Sequence, residues 1–455
     1  MNDPAKVAPF YLPENAAYTI VDSAVDSVRF TVEKTLTACS CGHTASISTF
    51  VDPEGTPMEW HVFGPLEGPG WAGNAVGGAC EIHRLGGFLT KPAWQATAID
   101  VVDHVLEHGF VDTGSGFIRG YRHIPTGALC LNYKADSEWF CPGSMAKIAF
   151  QLLTFAEVLE PDARADRMRA AATRCAEWVI ERVEPVPNGW FPRRCTLTGA
   201  VFDTSPEGNP DAFWQTSADG LFVLQLLAAL TQRGIADYTQ ILAEKTQVFM
   251  AQGGIFGSIN QDTYDADENV ARAVAFRVMR VLAQILDDEA IRRFAYDPCL
   301  AGLERFKMRE DRNGVQTTGL LYMEDKWDTA YLWENAEAAL AHFEAALDMR
   351  QDDPERSAGY ERDGLTILRA IARHHHGPHG FLTEGVDWNN HVGQQHHIGQ
   401  AEFGAIQYTE PFLNNQHIVE PTLFYLDYLA EKGTDGGAQR WRDYEGNVLY
   451  TQRTD

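Results

Sequence analysis

Side chains able to move protons are concentrated in three stretches of the chain. The densest comes late: seven of the 15 histidines lie between residues 374 and 397, and His417 follows. Around them run Glu384-Gly385-Val386-Asp387-Trp388-Asn389-Asn390-His391, His396-His397, Glu410 and Asn414-Asn415, which gather neutral bases, carboxylates and amides. On a helix, Asn414 and His417 at i, i+3 with Glu420 three further on would make one polar stripe. The plain alternative is a solvated loop running into a helix start. A second stretch, Asp262-Thr263-Tyr264-Asp265-Ala266-Asp267-Glu268-Asn269, holds four carboxylates in seven residues, of which Asp265 or Asp267 would serve as a helix cap. Tyr264 and one of Asp265 or Glu268 are left as candidates to face a cavity. The third, Glu324-Asp325-Lys326-Trp327-Asp328, sets a tryptophan among carboxylates, the composition of a sugar subsite, since a pyranose has an apolar face and a polar rim. Trp214 to Asp219 repeats the theme, with Gln215 and Asp219 at i, i+4.

Two chemistries use such residues. A pair of carboxylates drawn from Glu268, Asp328, Asp387 and Glu410 could hydrolyse a glycosidic bond, one protonating the leaving oxygen and the other activating water or attacking the sugar. Trp190, Trp327 and Trp388 would then stack on sugar rings, with Asn414, His417, Gln215, Asp219 and Arg193 binding the substrate. Alternatively His391 or His417 would act as a base, with Tyr264 as partner, in a cofactor-independent epimerase, isomerase or eliminating lyase, because a histidine titrates near neutral pH. A lyase of acidic polymers also needs local cations, for which Arg119, Arg122, Arg193 and Arg194 are available. A binding or scaffold protein without turnover is the remaining class.

No metal or cofactor is expected. The histidines lack the H-E-x-x-H spacing, and adjacent His396 and His397 would diverge on a strand. Cys39-Ser40-Cys41-Gly42-His43 has neither C-x-x-C spacing nor a second half. No phosphate-binding P-loop or G-x-S-x-G elbow occurs. Gly68-Pro69-Gly70-Trp71-Ala72-Gly73 fits G-x-G-x-x-G in letters, but with an internal Pro and no strand before it, it reads as a turn.

The elements that must hold these residues are helical. Apolar spacing of three and four predicts helices near 73–86 and 92–108, 142–159 and 163–183, 212–233 and 236–251, 267–285 and 287–304, and 329–348 and 357–375. A late helix at 413–430 has no successor, and an early one at 20–36 has no predecessor, so the two can pair. Links within pairs are short; those between pairs are long and rich in Gly, Pro and aromatic residues. Six hairpins of this kind can close into an (α/α)6 toroid, an all-α fold with the long loops crowning the N-terminal ends of the inner helices. Gly116-Phe117-Ile118-Arg119-Gly120 and Gly189-Trp190-Phe191-Pro192 would form short β-hairpins there. No linker composition divides the chain, so residues 1–455 read as one catalytic domain, with 1–72 closing the ring and contributing loops.

With that pattern, the segment Trp327-Asp328-Thr329-Ala330-Tyr331-Leu332-Trp333-Glu334-Asn335-Ala336-Glu337-Ala338-Ala339-Leu340 and the closing Pro411-Phe412-Leu413-Asn414-Asn415-Gln416-His417 resemble the carbohydrate-active toroids. These include the N-acylglucosamine 2-epimerases and the unsaturated glucuronyl hydrolases. The resemblance covers about residues 70–430 and implies the toroid fold with sugar hydrolysis or sugar isomerisation. The leading expectation is a glycoside hydrolase acting on oligosaccharides, uronate-containing ones included.

Composition agrees. The 455 residues carry 63 acidic against 37 basic side chains, a net charge of −26 that repels a phosphate backbone and argues against nucleic acid as partner. The longest apolar runs, such as Leu221 to Leu224, fall far short of the roughly 20 residues that span a bilayer. The first 13 residues lack a secretory signal's apolar core, which places the chain in the cytoplasm. Eight scattered cysteines read as reduced thiols. A homo-oligomer is left open.

Overall fold

The computed structural model describes residues 10–58, 65–133, 137–202, 217–259, 266–312, 314–324, 329–376, 380–387, 404–405, 408–432 and 440–451. Twelve helices are found among them: α1 (Ile20–Phe30), α2 (Asn74–Phe88), α3 (Pro92–Glu107), α4 (Pro142–Leu159), α5 (Ala163–Arg182), α6 (Gly220–Gln232), α7 (Thr239–Ala251), α8 (Asn269–Ile285), α9 (Glu289–Phe294), α10 (Leu332–Met349), α11 (Pro354–Ala372) and α12 (Val419–Lys432). Local chemistry sets their starts. Thr19 and Asp22 form a reciprocal capping box on α1, Asp162, Asp288 and Asp353 cap α5, α9 and α11, and Pro opens α3, α4 and α11, where its missing N–H costs nothing.

Even-numbered helices pack in sequence, α2 on α4, α4 on α6, then α8, α10, α12 and back to α2, so the inner ring is closed. Each carries an outer partner: α3 on α2, α5 on α4, α7 on α6, the segment from α9 on α8, α11 on α10 and α1 on α12. The fold is an (α/α)6 toroid, with the first and last helices joining as the sixth pair. Helix α6 shows why the inner ring is so apolar, since Leu221 to Leu224 and Leu226 to Leu230 are all buried, as befits a helix with neighbours on every side.

Two breaks depart from the regular pattern. The helix expected at 287–304 stops after α9 and continues as a wide π turn (Ala295–Leu300) and a 3-10 turn (Ala301–Phe306), because Pro298 inside it has no N–H to donate and clashes with the preceding turn. The helix expected from 413 starts at Val419, after a separate π turn spanning Pro411–Asn415.

The links between pairs lie at one end of the ring and carry short strands: β1 (Leu36–Ala38), β2 (Thr44–Ser46), β3 (Leu66–Glu67), β4 (Tyr121–His123), β5 (Leu129–Cys130), β6 (Thr329–Tyr331), β7 (His375–His376), β8 (Phe381–Leu382), β9 (Gly385–Asp387) and β10 (Gly404–Ala405). They pair antiparallel as β1-β2, β3-β4-β5, β6-β9-β10 and β7-β8. A last hairpin, β11 (Arg440–Arg442) with β12 (Val448–Thr451), packs Trp441 on Phe88 at the far end of α2. The hairpin expected at 116–120 is a minimal one, in which Ile118 bridges Val111 while Asp112 N–H donates to Phe117 O and Arg119 N–H to Phe110 O, both at 2.9 Å; at 189–192 the chain closes a turn instead, with Val186 N–H donating to Trp190 O at 3.0 Å. The Gly68–Gly73 run is a turn as expected, with positive φ at Gly68, Gly70, Ala72 and Gly73.

Candidate active site

The middle of the ring is closed by aromatic side chains. Trp71, delivered by the left-handed Gly70-to-Gly73 turn at the head of α2, packs edge-on against Phe222 of α6 and Trp333 of α10 at ring distances of 6.1 and 5.4 Å. His417, just before α12, meets Trp333 edge-on at 5.9 Å. Residues from four inner elements thus make one floor.

Beneath that floor runs a column of charge. His417 Nε2 lies 3.3 Å from Glu337 Oε1, and Arg277 of α8 reaches Glu337, Glu344 and Glu420 at 2.5, 3.1 and 3.3 Å. Arg280 continues it to Asp348 at 2.6 Å. Burial opposes ionisation of Glu337, but the Arg277 guanidinium, the His417 contact and Lys147 together hold its carboxyl far below the usual range. In the neutral imidazole, a carboxylate acceptor puts the proton on Nε2 and leaves Nδ1 without one. Lys147 of α4 donates to Gln225 Oε1 at 2.9 Å and sits 5.2 Å from the Phe222 ring centre; burial draws its pKa down.

The rim is built from helix starts. Asp219 is the residue before α6, and α6 begins only at Gly220, so Asp219 is not on that helix as its spacing to Gln215 had suggested. Burial pushes the Asp219 carboxyl up to about 7, against the hydroxyl of Ser217, which donates to it, and the nearby guanidinium groups of Arg193 and Arg194. Arg193 is therefore part of the setting of Asp219. It is buried with it. The approach is close: a Cβ on Gly143, in the first turn of α4, would fall 2.1 Å from the Asp219 carbonyl oxygen.

Trp190, expected to stack on a sugar, has no exposed face; it packs on Phe191 and Phe249 and donates its indole N–H to Ser217 O at 2.9 Å. Its large apolar ring is used as core, and it buttresses the Ser217–Gly220 corner. Glu268 caps nothing with its side chain, although it stands at the head of α8. It is buried, and one of its carboxylate oxygens accepts the amide of Ile259 at 3.1 Å, so that oxygen holds the preceding loop. Asp267, a proposed cap, instead grips Arg272 at 2.6 Å.

Glu410 and Asn414 occupy the turn leading into α12. The π turn means that Asn414, His417 and Glu420 do not form one helical stripe: Glu420 pairs with Arg277 in the column, and His417 with Glu337. Glu410 is half-buried, its Oε1 3.8 Å from where a Cβ on Gly70 would lie, so its carboxylate borders the turn that delivers Trp71. Asn414 is buried, and both polar atoms of its side chain lack a hydrogen-bond partner among the described residues. Since α6 and α12 are opposite in the ring order, Asp219 and the Glu410–His417 turn flank the aromatic floor from opposite sides.

Tyr264, Asp328, His391, Trp327, Trp388 and Gln215 lie outside the described residues. Asp387 is described only as backbone, paired in β9 with Thr329 and Gly404. The floor and column residues Trp71, Phe222, Lys147, Arg277 and Glu337 were not singled out from the sequence. The available signal was a lone charge inside an apolar run, as in Met145-Ala146-Lys147-Ile148-Ala149, which a soluble helix surface does not require. A cavity lined by Tyr18, Asp26, Arg373 and His375 lies between α1 and α11, away from all of these.

No family model and no curated protein matches the chain. Solved structures do share the toroid. The cellobiose 2-epimerase from Bacillus thermoamylovorans B4167 superimposes with a TM-score of 0.59 at 10% identity, covering 90% of this chain and 99% of its own. The cellobiose 2-epimerase from Spirochaeta thermophila DSM 6192 gives 0.58 at 14% identity, with 90% and 96% covered. A family 76 glycoside hydrolase from a bovine Bacteroides thetaiotaomicron strain gives 0.56 at 13%, with 92% and 79% covered. At these identities the likeness is one of fold.

Proposed function

We infer that this protein is a carbohydrate-active enzyme that hydrolyses glycosidic bonds in oligosaccharides, uronate-containing ones included. One observation carries the reading: Asp219, at the rim end of an inner helix, is a buried carboxyl whose pKa is raised to about 7, so about half of it is protonated at neutral pH and it can act as an acid toward a leaving oxygen. Glu410, across the floor, is the second carboxylate. In the reaction Asp219 protonates the bridging oxygen as the bond to the anomeric carbon breaks; Glu410 removes a proton from the water that adds there, or attacks that carbon first. Trp71 and Trp333, themselves buried at 4% and 5% exposure, back the proposed sugar position with an apolar layer, and Asn414, whose polar atoms have no partner among the described residues, is assigned to the sugar hydroxyls. The occurrence of both glycoside hydrolases and sugar epimerases among the shared folds supports a sugar substrate.

A second reading rests on His417. Tied to Glu337 through Nε2, it is assigned its other nitrogen as the base for proton abstraction beside a sugar carbonyl, as a cofactor-independent epimerase or isomerase needs. Incubation with neutral and uronate-containing oligosaccharides, read by mass spectrometry and by absorbance of new double bonds, separates the two. Cleavage with gain of water that is lost in Asp219→Asn supports hydrolysis. A mass-silent change lost in His417→Gln supports the second reading, cleavage without water supports elimination, and binding without turnover overturns all three.

A further inference from the structure

Cys39, Glu67, His104 and His108 converge at the rim end of the outer layer although the sequence scatters them. Their ligand atoms all lie within 4.8 Å of one another. Cys39 Sγ is 3.6 Å from His108 Nε2, and His104 Nε2 is 3.8 Å from Glu67 Oε1. The two histidines sit at i, i+4 where α3 ends, their rings stacked at 5.1 Å. His104 is fully buried and neither ring nitrogen makes a hydrogen bond among the described residues, an expensive arrangement for an imidazole in an apolar setting.

We propose that these four side chains form a site for a divalent transition metal, zinc first among them. Thiolate, two imidazoles and a carboxylate are the donor types zinc takes. With metal–sulfur and metal–nitrogen bonds of about 2.3 and 2.0 Å, the edges of a tetrahedral site are about 3.3–3.6 Å, against 3.6 and 3.8 Å for the two pairs above and no more than 4.8 Å anywhere in the set. The hairpin of β1 and β2 prepares the sulfur: Cys39 N–H donates to His43 O at 2.8 Å, and Cys41 N–H donates to Cys39 Sγ at 3.3 Å, a bond that favours the thiolate. Arg122 also holds Glu67; with thiolate, carboxylate and metal summing to zero, its charge is the one left over, so Glu67 is the shared and weakest ligand. Cys41 and His43, the sequence neighbours of Cys39, are not part of the set, since His43 turns to Asp100 and Glu107 at 2.8 and 3.1 Å. The metal would pin the β1-β2 hairpin and β3 to the end of α3. Because β3 runs directly into the turn carrying Trp71, it would brace that turn from behind. This assignment does not depend on which sugar chemistry the ring performs.

The test is metal titration of the full chain after stripping with a chelator. The expected result is one equivalent of Zn2+ bound with a dissociation constant of about 1 μM or tighter and a rise in Tm. Co2+ should give the intense visible bands of a tetrahedral site plus thiolate-to-metal charge transfer. Cys39→Ser should remove the charge-transfer band, and His104→Ala or His108→Gln should weaken binding at least about 100-fold, whereas His396→Ala/His397→Ala should change nothing. Should His104→Ala fail to fold, the Cys39 and His108 variants carry the decision. Absence of binding at one equivalent, a cobalt form without charge transfer, or unchanged affinity in the His108 variant would overturn the proposal.

Discussion

His417 and Arg277 are held by the two oxygens of one carboxylate, Glu337, at 3.3 and 2.5 Å. The histidine at the floor of the ring is therefore fixed through an ion pair that water scarcely reaches, and its orientation depends on charge in the column beneath.

Acid should loosen this column. The folded pKa of Glu337 lies below its ordinary 4.5, so the stability it brings is present above that pH and is lost as the pH falls through 4.5 toward the folded value. Melting curves are expected to drop steeply below pH 4.5 in the native chain. Glu337→Gln should melt lower at neutral pH and change less on acidification; a parallel decline in both would speak against the assignment.

Removing Arg277 leaves Glu337, Glu344 and Glu420 facing one another without their shared cation. Arg277→Ala should cost about 3–5 kcal/mol in urea unfolding, as loss of one partner of a buried ion pair does. Arg277→Lys should recover only part, because a single ammonium cannot fork across three carboxylates. A loss under about 1 kcal/mol would mean the column relaxes freely.

Turnover should fall as the pH rises through about 7, the pKa of Asp219, because the acid must carry its proton. Asp219→Asn is expected to lower kcat by about 100- to 10,000-fold. Stability runs in the same direction: a carboxyl raised from its ordinary 3.8 to about 7 gives stability that is fully present below 3.8 and is lost as the pH rises from there through 7. The Asn variant should therefore melt higher than the native chain above pH 7. Circular dichroism and rate profiles on the same samples would expose a variant that is merely misfolded.

Two glycines offer a contrast. A Cβ on Gly143 would strike the backbone of Asp219, whereas one on Gly359, half-buried in α11, would meet nothing within 4 Å. Gly143→Ala should destabilise by about 1–3 kcal/mol and, by moving Asp219, lower kcat. Gly359→Ala should stabilise by roughly 0.5–1 kcal/mol. Equal effects would show that the approach of α4 to Asp219 is not tight.

The ring itself was legible because its signals are local. Periodicity and capping residues place the starts of α2, α4 and α8 within two residues of their expected positions, and unpaired first and last helices foretell their union. Pro298 was equally visible as a breaker, but a continuing apolar pattern masked it. What sequence could not supply is depth. Trp190 and Asp219 both looked like surface ligands, yet one is core and the other a buried acid, because burial follows from how helix starts crowd together. Cys39 and His104 stand 65 positions apart, and no spacing rule joins them before the hairpin folds onto α3.

The packed floor of Trp71, Phe222, Trp333 and His417, with Arg277 and Glu337 filling the lumen below, makes the toroid a cup and not a pipe. A molecule that enters must leave by the mouth it came through. On the proposed glycoside hydrolysis, a long chain would not be threaded through the ring and cut in passing; a chain terminus would be the part admitted, and each product would leave by the way it entered.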